Sequence, residues 1–140
     1  MAKECGADVA VNVAREKLEE VLDRELGIDG LDVVYECSAN GGALNQVLRY
    51  GRKGMAVVIV AVYGKKPEIE MGLIQDREYE LYGTLMYRHE DYLTAIRLVT
   101  EGKVNLQALI SREFPLEEVS QAYKYIETHR DEVQKVILNV

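Results

Sequence analysis

The sequence predicts an α/β fold built on a mainly parallel sheet, and three observations carry that reading. Two short β-branched runs, Asp32-Val33-Val34-Tyr35-Glu36-Cys37 and Met55-Ala56-Val57-Val58-Ile59-Val60-Ala61-Val62, show no regular polar alternation, as strands covered on both faces do. Between them Ala43, Leu44, Val47 and Leu48 fall on one stripe of an amphipathic helix. Strand, helix and strand within about thirty residues make a βαβ unit, whose crossover is right-handed in nearly all proteins. Its ligand-facing edge follows: Cys37-Ser38-Ala39 and Ala61-Val62-Tyr63 leave the carboxyl ends of neighbouring strands, where open α/β sheets bind ligands.

The remaining elements follow in order. Met1 to Gly6 combines good helix formers with a closing glycine and no capping residue in front, and reads as the last turn of a helix. Asp8 to Val13 reads as a short strand with alternating valines. Leu18, Val21, Leu22 and Leu26 give a helical face over Glu16 to Leu26, and Gly27 suits a left-handed cap. In the central unit Gly41-Gly42 frees the backbone before the helix of Gly41 to Tyr50, and Gly51 and Gly54 can end it. Gly64-Lys65-Lys66-Pro67 makes a loop. Alternation of Ile69 and Met71 with Glu68 and Glu70 predicts a strand with one wet face. Tyr79 to Met86 reads as another strand, with Gly83 where a ligand or backbone can approach closely. Glu90 to Glu101 is helical, with acids at its amino end, Leu93, Ile96 and Val99 facing inward and Gly102 as the stop. An extended piece through Leu109 and Ile110 reaches Phe114-Pro115; Val119, Ala122, Tyr123 and Ile126 then mark a helix, and Val133 to Val140 closes as a strand.

Composition bounds the function. With 140 residues, 48% apolar and 29% charged, the chain can bury one ordinary core, so a single domain over 1–140 is expected. A formal charge of -7 argues against electrostatic binding to nucleic acid or an anionic membrane, and no basic cluster exceeds Lys65-Lys66. No apolar run approaches the ~20 residues of a membrane span, and no basic-then-apolar signal opens the chain, so the expected setting is cytoplasmic. Cys5 and Cys37 form no C-x-x-C pair and read as two reduced, structural thiols.

Motifs that carry chemistry are sparse. G-x-G-x-x-G after a strand, the Walker loop, G-x-S-x-G and H-E-x-x-H are all missing from the sequence. His89-Glu90-Asp91 suits a solvated helix amino terminus better than a metal cluster, and His129-Arg130-Asp131 suits a charged turn. Glu36 ends a buried strand and reads either as an elevated-pKa carboxylate or as a hydrogen-bonded one at the sheet edge. Nine tyrosines against one Phe and no Trp suit half-buried contact surfaces; Tyr82, Tyr87, Tyr123 and Tyr125 are candidates.

Four landmarks then carry a resemblance: Ala2-Lys3-Glu4-Cys5-Gly6-Ala7-Asp8, Asp32-Val33-Val34-Tyr35-Glu36-Cys37-Ser38, Gly83-Thr84-Leu85-Met86-Tyr87 and Phe114-Pro115-Leu116-Glu117-Glu118. In order and spacing they resemble the carboxyl-terminal part of the zinc-dependent medium-chain dehydrogenases, in the branch of sorbitol, threonine and butanediol dehydrogenases. The resemblance implies a partial Rossmann-type, doubly wound sheet lacking its first two strands over 1–87, and over 88–140 a C-terminal α/β extension that in the family packs on the catalytic domain. The glycine-rich turn, the ribose-reading acid and the zinc-bearing catalytic domain would precede Met1, so the chain is expected to be truncated. NAD or NADP is the implied cofactor, weakly bound or lost here, with zinc belonging to the parent family only.

Carried over from the family, Cys37, Ser38 and Ala39 would lie near the adenosine half and Val60, Ala61 and Val62 would line the nicotinamide. Thr84, Leu85 and Met86 would offer backbone groups to the carboxamide, and Lys135 would approach the pyrophosphate. No catalytic or metal-binding residue is assigned. Ala39 and Ala61 stand where the family usually has glycine, and Arg112 where a histidine is common.

The implied function is part of an oxidoreductase that moves a hydride between NAD(P) and a secondary alcohol or polyol, inactive on its own. The alternative is a self-standing, non-catalytic α/β binding or oligomerisation module. Two unpaired strand edges are expected to be covered, with Asp8 to Val13 re-paired on a neighbour and a homodimer formed through Glu68 to Met71. The missing catalytic domain is the other implied partner.

Overall fold

The computed structural model of the chain describes residues 1–27 and 30–140. They form two compact units, Val11–Met86 and a second made of Met1–Ala10 with Tyr87–Val140.

The first unit opens with α1 (Leu18–Leu26), which has Glu19 and Glu20 in its first turn and ends at Gly27, whose φ is 57°. Then come β1 (Leu31–Glu36), α2 (Gly41–Leu48), β2 (Gly51–Ile59), α3 (Met71–Asp76) and β3 (Glu80–Gly83). The strands form one sheet in the order β1-β2-β3, and both pairings are parallel. Leu44 and Leu48 of α2 pack with Met55, Val57 and Tyr79 in the core, and Leu73 and Ile74 of α3 flank them. Gly51 begins β2 and does not end α2; a Cβ there would lie 2.5 Å from both the Met55 methyl and the Tyr79 hydroxyl. Gly54, at φ 79°, lies where the register slips between Leu31↔Gly51 and Val33↔Ala56, so it serves a bulge inside β2.

Helices cover one face of this sheet only. On the other, the in-register triplet Tyr35, Val58 and Tyr82 runs across the three strands, with Tyr35 68% and Tyr82 50% exposed. The expectation that both strand faces are buried is thereby corrected for β1.

Two predicted strands are not strands. At Asp8 to Val13 the backbone is unpaired, because the Asn12 side chain accepts from the Ala14 amide at 3.0 Å and its carbonyl from Arg15 at 2.8 Å, which turns the chain. Among the described residues no strand pairs with this segment. Glu68 to Glu70 is not hydrogen-bonded in a strand ladder, and Met71 starts α3. The Asn45 side chain takes the place of a strand neighbour: its Nδ2 donates to the Glu68 carbonyl at 2.9 Å and its Oδ1 accepts from the Glu70 amide at 3.0 Å.

In the second unit Met1 to Gly6 is a helical turn: the Ala7 amide reaches the Ala2 carbonyl and the Gly6 amide that of Lys3, both at 3.1 Å, with Gly6 at φ 98°. The helix α4 (His89–Thr100) is capped where the Arg88 amide donates to Asp91 Oδ2 at 2.8 Å, and it stops at Gly102, φ 66°. Its apolar stripe does not face inward: Leu93 is 54%, Ile96 60% and Val99 45% exposed, since no described residue covers it. β4 (Ile110–Pro115), α5 (Val119–Thr128) and β5 (Lys135–Asn139) form a second βαβ unit with a parallel pairing. Phe114 and Ala122 are its buried residues.

Candidate functional site

The carboxyl edge of the three-stranded sheet gathers nine of the ten residues singled out from the sequence. Glu36, Ile59 and Gly83 are in register, so Cys37, Val60 and Thr84 leave the sheet side by side. The ladder runs one step further: the Val60 and Ala61 amides donate to the Glu36 carbonyl at 2.9 and 3.0 Å, and the Thr84 amide donates to that of Ile59 at 3.1 Å. Beyond the ladder the edge is open. Val62, Leu85 and Met86 are each more than 70% exposed, and Cys37, Ser38 and Thr84 are also at the surface while Ala39 and Ala61 are half-buried. The tenth residue, Lys135, belongs to the other unit, where it opens β5 opposite Ile110.

Two backbone positions at this edge adopt the left-handed region without being glycine: Ala39 at φ 55° and Met86 at φ 60°. The glycine expected by family at position 39 thus has a local cause, because a Cβ in this conformation costs about 1 kcal/mol.

The turn after β1 is built from hydrogen bonds. The Glu36 Oε1 accepts from the Ser38 amide at 2.8 Å and from its hydroxyl at 2.5 Å, and Ser38 Oγ accepts from the Asn40 amide at 3.2 Å. Asn40 caps α2, its Oδ1 accepting from the amides of Gly42 and Ala43. Asn before Gly-Gly is a cap signal that the sequence offers. Gly41 is required, since a Cβ there would lie 2.8 Å from the Pro67 ring, where the loop after β2 closes on the helix start. Between the 38–41 turn and the 63–67 loop lies a hollow of about 420 Å³.

Of the two readings of Glu36, the hydrogen-bonded carboxylate is the one observed. Burial pushes its carboxyl up, but the donors around it, led by the Ser38 hydroxyl and amide and followed by Tyr63 and the Asn40 amide, together outweigh this and hold the group below the ordinary carboxylate value. Its other oxygen, Oε2, and the Tyr63 hydroxyl are buried without a partner at close hydrogen-bond distance. They act on each other: burial, then the facing carboxylate, pushes the Tyr63 phenol up to about 12. Glu36 therefore holds the turn after β1 as an anion, facing Tyr63, and is no proton donor at neutral pH. What remains at the edge is suited to binding, through apolar side chains and strand-end backbone.

Cys5 and Cys37 are both free and exposed, so they are not buried structural thiols. Among the described residues no group of three or more His, Cys, Asp or Glu side chains could hold a metal ion. His89 heads α4 at the surface, as expected, whereas His129 stacks on Tyr125 at 4.3 Å and is half-buried.

The family model described as zinc-binding dehydrogenase matches residues 1–101. Sorbitol dehydrogenase 1 of Saccharomyces cerevisiae is 30% identical over 98% of this chain, which covers 40% of that relative. The crystal structure of L-idonate 5-dehydrogenase from Escherichia coli superposes with a TM-score of 0.84 at 27% identity, over 99% of this chain and 38% of that one. A zinc-binding dehydrogenase of Sinorhizobium meliloti, solved bound to NADP, gives a TM-score of 0.74 at 30% identity, over 86% of this chain and 36% of that one. The chain thus spans about two fifths of the length of the relatives it matches. On the family match and the parallel, Rossmann-type sheet together, it belongs to the zinc-binding dehydrogenase family.

Proposed function

We propose that the chain supplies part of a dinucleotide site in an oxidoreductase that moves a hydride between NAD(P) and a secondary alcohol or polyol. The observation that carries this reading is the register of Glu36, Ile59 and Gly83, which brings three loops to one open edge. The residues there fit a dinucleotide in part. Exposed Val60, Val62 and Leu85 offer apolar cover for flat rings, and Cys37, Ser38 and Ala39 would lie along the adenosine half. Thr84, Leu85 and Met86 would present backbone groups to the carboxamide. When bound, the nucleotide supplies the hydride acceptor, and the chain's share is to orient it. The described residues do not fit a zinc centre.

On this reading the chain alone is inactive, works in the cytoplasm, and joins a second copy through Glu68 to Met71. Titration of the purified chain with NADH, followed by nicotinamide fluorescence, is expected to give millimolar affinity or weaker, about 4 kcal/mol at most. A micromolar dissociation constant, or zinc-dependent reduction of NAD with any secondary alcohol, would overturn the claim of inactivity. Fusion to the amino-terminal part of Saccharomyces cerevisiae sorbitol dehydrogenase 1 tests the chemistry. NAD-dependent oxidation of sorbitol is expected, and a folded chimera without turnover would favour the non-catalytic module.

A further inference from the structure

The second unit holds a hollow of about 330 Å³ between β4 and α5, lined by Arg112, Phe114, Gln121, Lys124, Tyr125 and Thr128. Arg112 is fixed in it by two rings: the guanidinium carbon lies 5.0 Å from the centroid of Phe114 and 4.8 Å from that of Tyr125. Phe114 is buried, and Tyr125 is itself held by stacking on His129. The cation therefore has little freedom left to lose when an anion arrives. No carboxylate among the described residues lies within ion-pair distance of Arg112 or Lys124, so neither charge is already neutralised by a partner there.

We propose that this hollow binds a compact oxyanion, a phosphate monoester or a carboxylate, gripped by the Arg112 fork. Arginine presents paired N–H donors in a plane that matches two oxygens of such a group. Lys124, on the helix across the hollow, adds a second positive charge, and the Gln121 amide adds neutral donors. Thr128 contributes less, because its hydroxyl is engaged with the Lys124 carbonyl at 2.9 Å. The volume exceeds that of the oxyanion itself and leaves room for a small organic body beside the Tyr125 ring.

The test is a titration of the whole 140-residue chain with inorganic phosphate and, separately, acetate, against chloride at matched ionic strength. It is read by ¹H–¹⁵N correlation spectra that include the Arg112 side-chain N–H. Saturable shifts confined to Arg112, Gln121, Tyr125 and Thr128 are expected. Phosphate binding tighter than acetate identifies a phosphate monoester as the ligand class, and the reverse order a carboxylate. Arg112→Gln and, independently, Lys124→Gln should each weaken binding, the first by about tenfold, while Lys66→Gln in the other unit leaves it unchanged. Shifts that match those in chloride, or equal affinity in a folded Arg112→Gln or Lys124→Gln variant, would overturn the proposal.

Discussion

The Tyr79 hydroxyl lies 2.7 Å from the carbonyl of Leu48, the last residue of α2, and 2.8 Å from that of Gly51, the first of β2. One phenol thus serves two backbone acceptors at the junction of helix and strand, inside the core, where burial also raises its pKa. Tyr79→Phe removes the donor and keeps the ring. The Gly51 carbonyl keeps the Arg77 guanidinium as a donor at 3.2 Å, but that of Leu48 loses the phenol, and a buried acceptor without a partner is costly, so a loss of about 1–3 kcal/mol is expected. The urea midpoint should fall with an unchanged m-value; a midpoint within error of the parent would show that the bond contributes nothing.

Ala39 and Glu78 hold left-handed backbone at φ 55° and 53°. Glu78 follows the cap residue Arg77 of α3, with the Tyr79 amide reaching back to the Ile74 carbonyl at 3.0 Å, and occupies the position a glycine usually fills. Glycine at either site relieves the Cβ, so Ala39→Gly and Glu78→Gly should each stabilise by roughly 0.5–1 kcal/mol. The exposed Lys53–Glu78 pair lost in the second variant is worth little. Thermal midpoints should rise in both. A fall in Ala39→Gly would mean that the turn after β1 depends on the methyl.

Glu36 and Tyr63 give stability opposite dependences at the two ends of the pH scale. The Glu36 carboxyl is lowered on folding, so its contribution is present above the unfolded value near 4.5 and is lost as pH falls through the folded value. The Tyr63 phenol is raised from 10.0 to about 12, so its contribution is intact below pH 10 and is lost as pH rises between those values. Denaturant midpoints measured across both ranges should decline at each end. Tyr63→Phe should flatten the alkaline decline, and Glu36→Gln the acid one; unchanged profiles would separate the pair from the pH response.

The α2 stripe, the end of β1 and the helix at α5 were legible because side chains announce them: Leu44 and Leu48 are buried at the positions their spacing marks, and Glu36 closes its strand. The open edge followed from topology, since parallel strands joined by helices end together. Backbone hydrogen bonding was harder to read. Arg52 and Lys53 are exposed and polar, yet they belong to β2, because the ladder resumes across the Gly54 bulge. The short α3 has no side-chain cap at Glu70 and was hidden under an apparent alternation. Tyr63 faces the Glu36 carboxylate and Asn45 bonds the Glu68–Glu70 backbone across loops, 27 and more than 20 residues away respectively, where no local pattern reaches.

Self-association is the last expectation, and two surfaces compete to produce it. Glu68 to Glu70 is held in an extended course by both hydrogen-bonding arms of Asn45, and this segment is the one expected to meet a second copy. The outer edge of β1 is also unpaired, and Tyr35 and Tyr82 stand exposed on the bare face beside it. Fully burying one such side chain is worth roughly 1.5–3 kcal/mol, so either surface can sustain a micromolar dimer only with several residues acting together. Sedimentation equilibrium of the unaltered chain should show a dimer or larger species at micromolar concentration, and a stable monomer would refute assembly outright. Asn45→Ala loosens the Glu68–Glu70 segment and should shift the equilibrium toward monomer, at a stability cost of about 1–2 kcal/mol. Tyr35→Lys places a charge on the β1 face, as natural edge strands do, and should leave a dimer through Glu68 to Met71 intact. If Tyr35→Lys dissociates the chain and Asn45→Ala does not, the interface is the open β1 edge and the Glu68 to Met71 assignment fails.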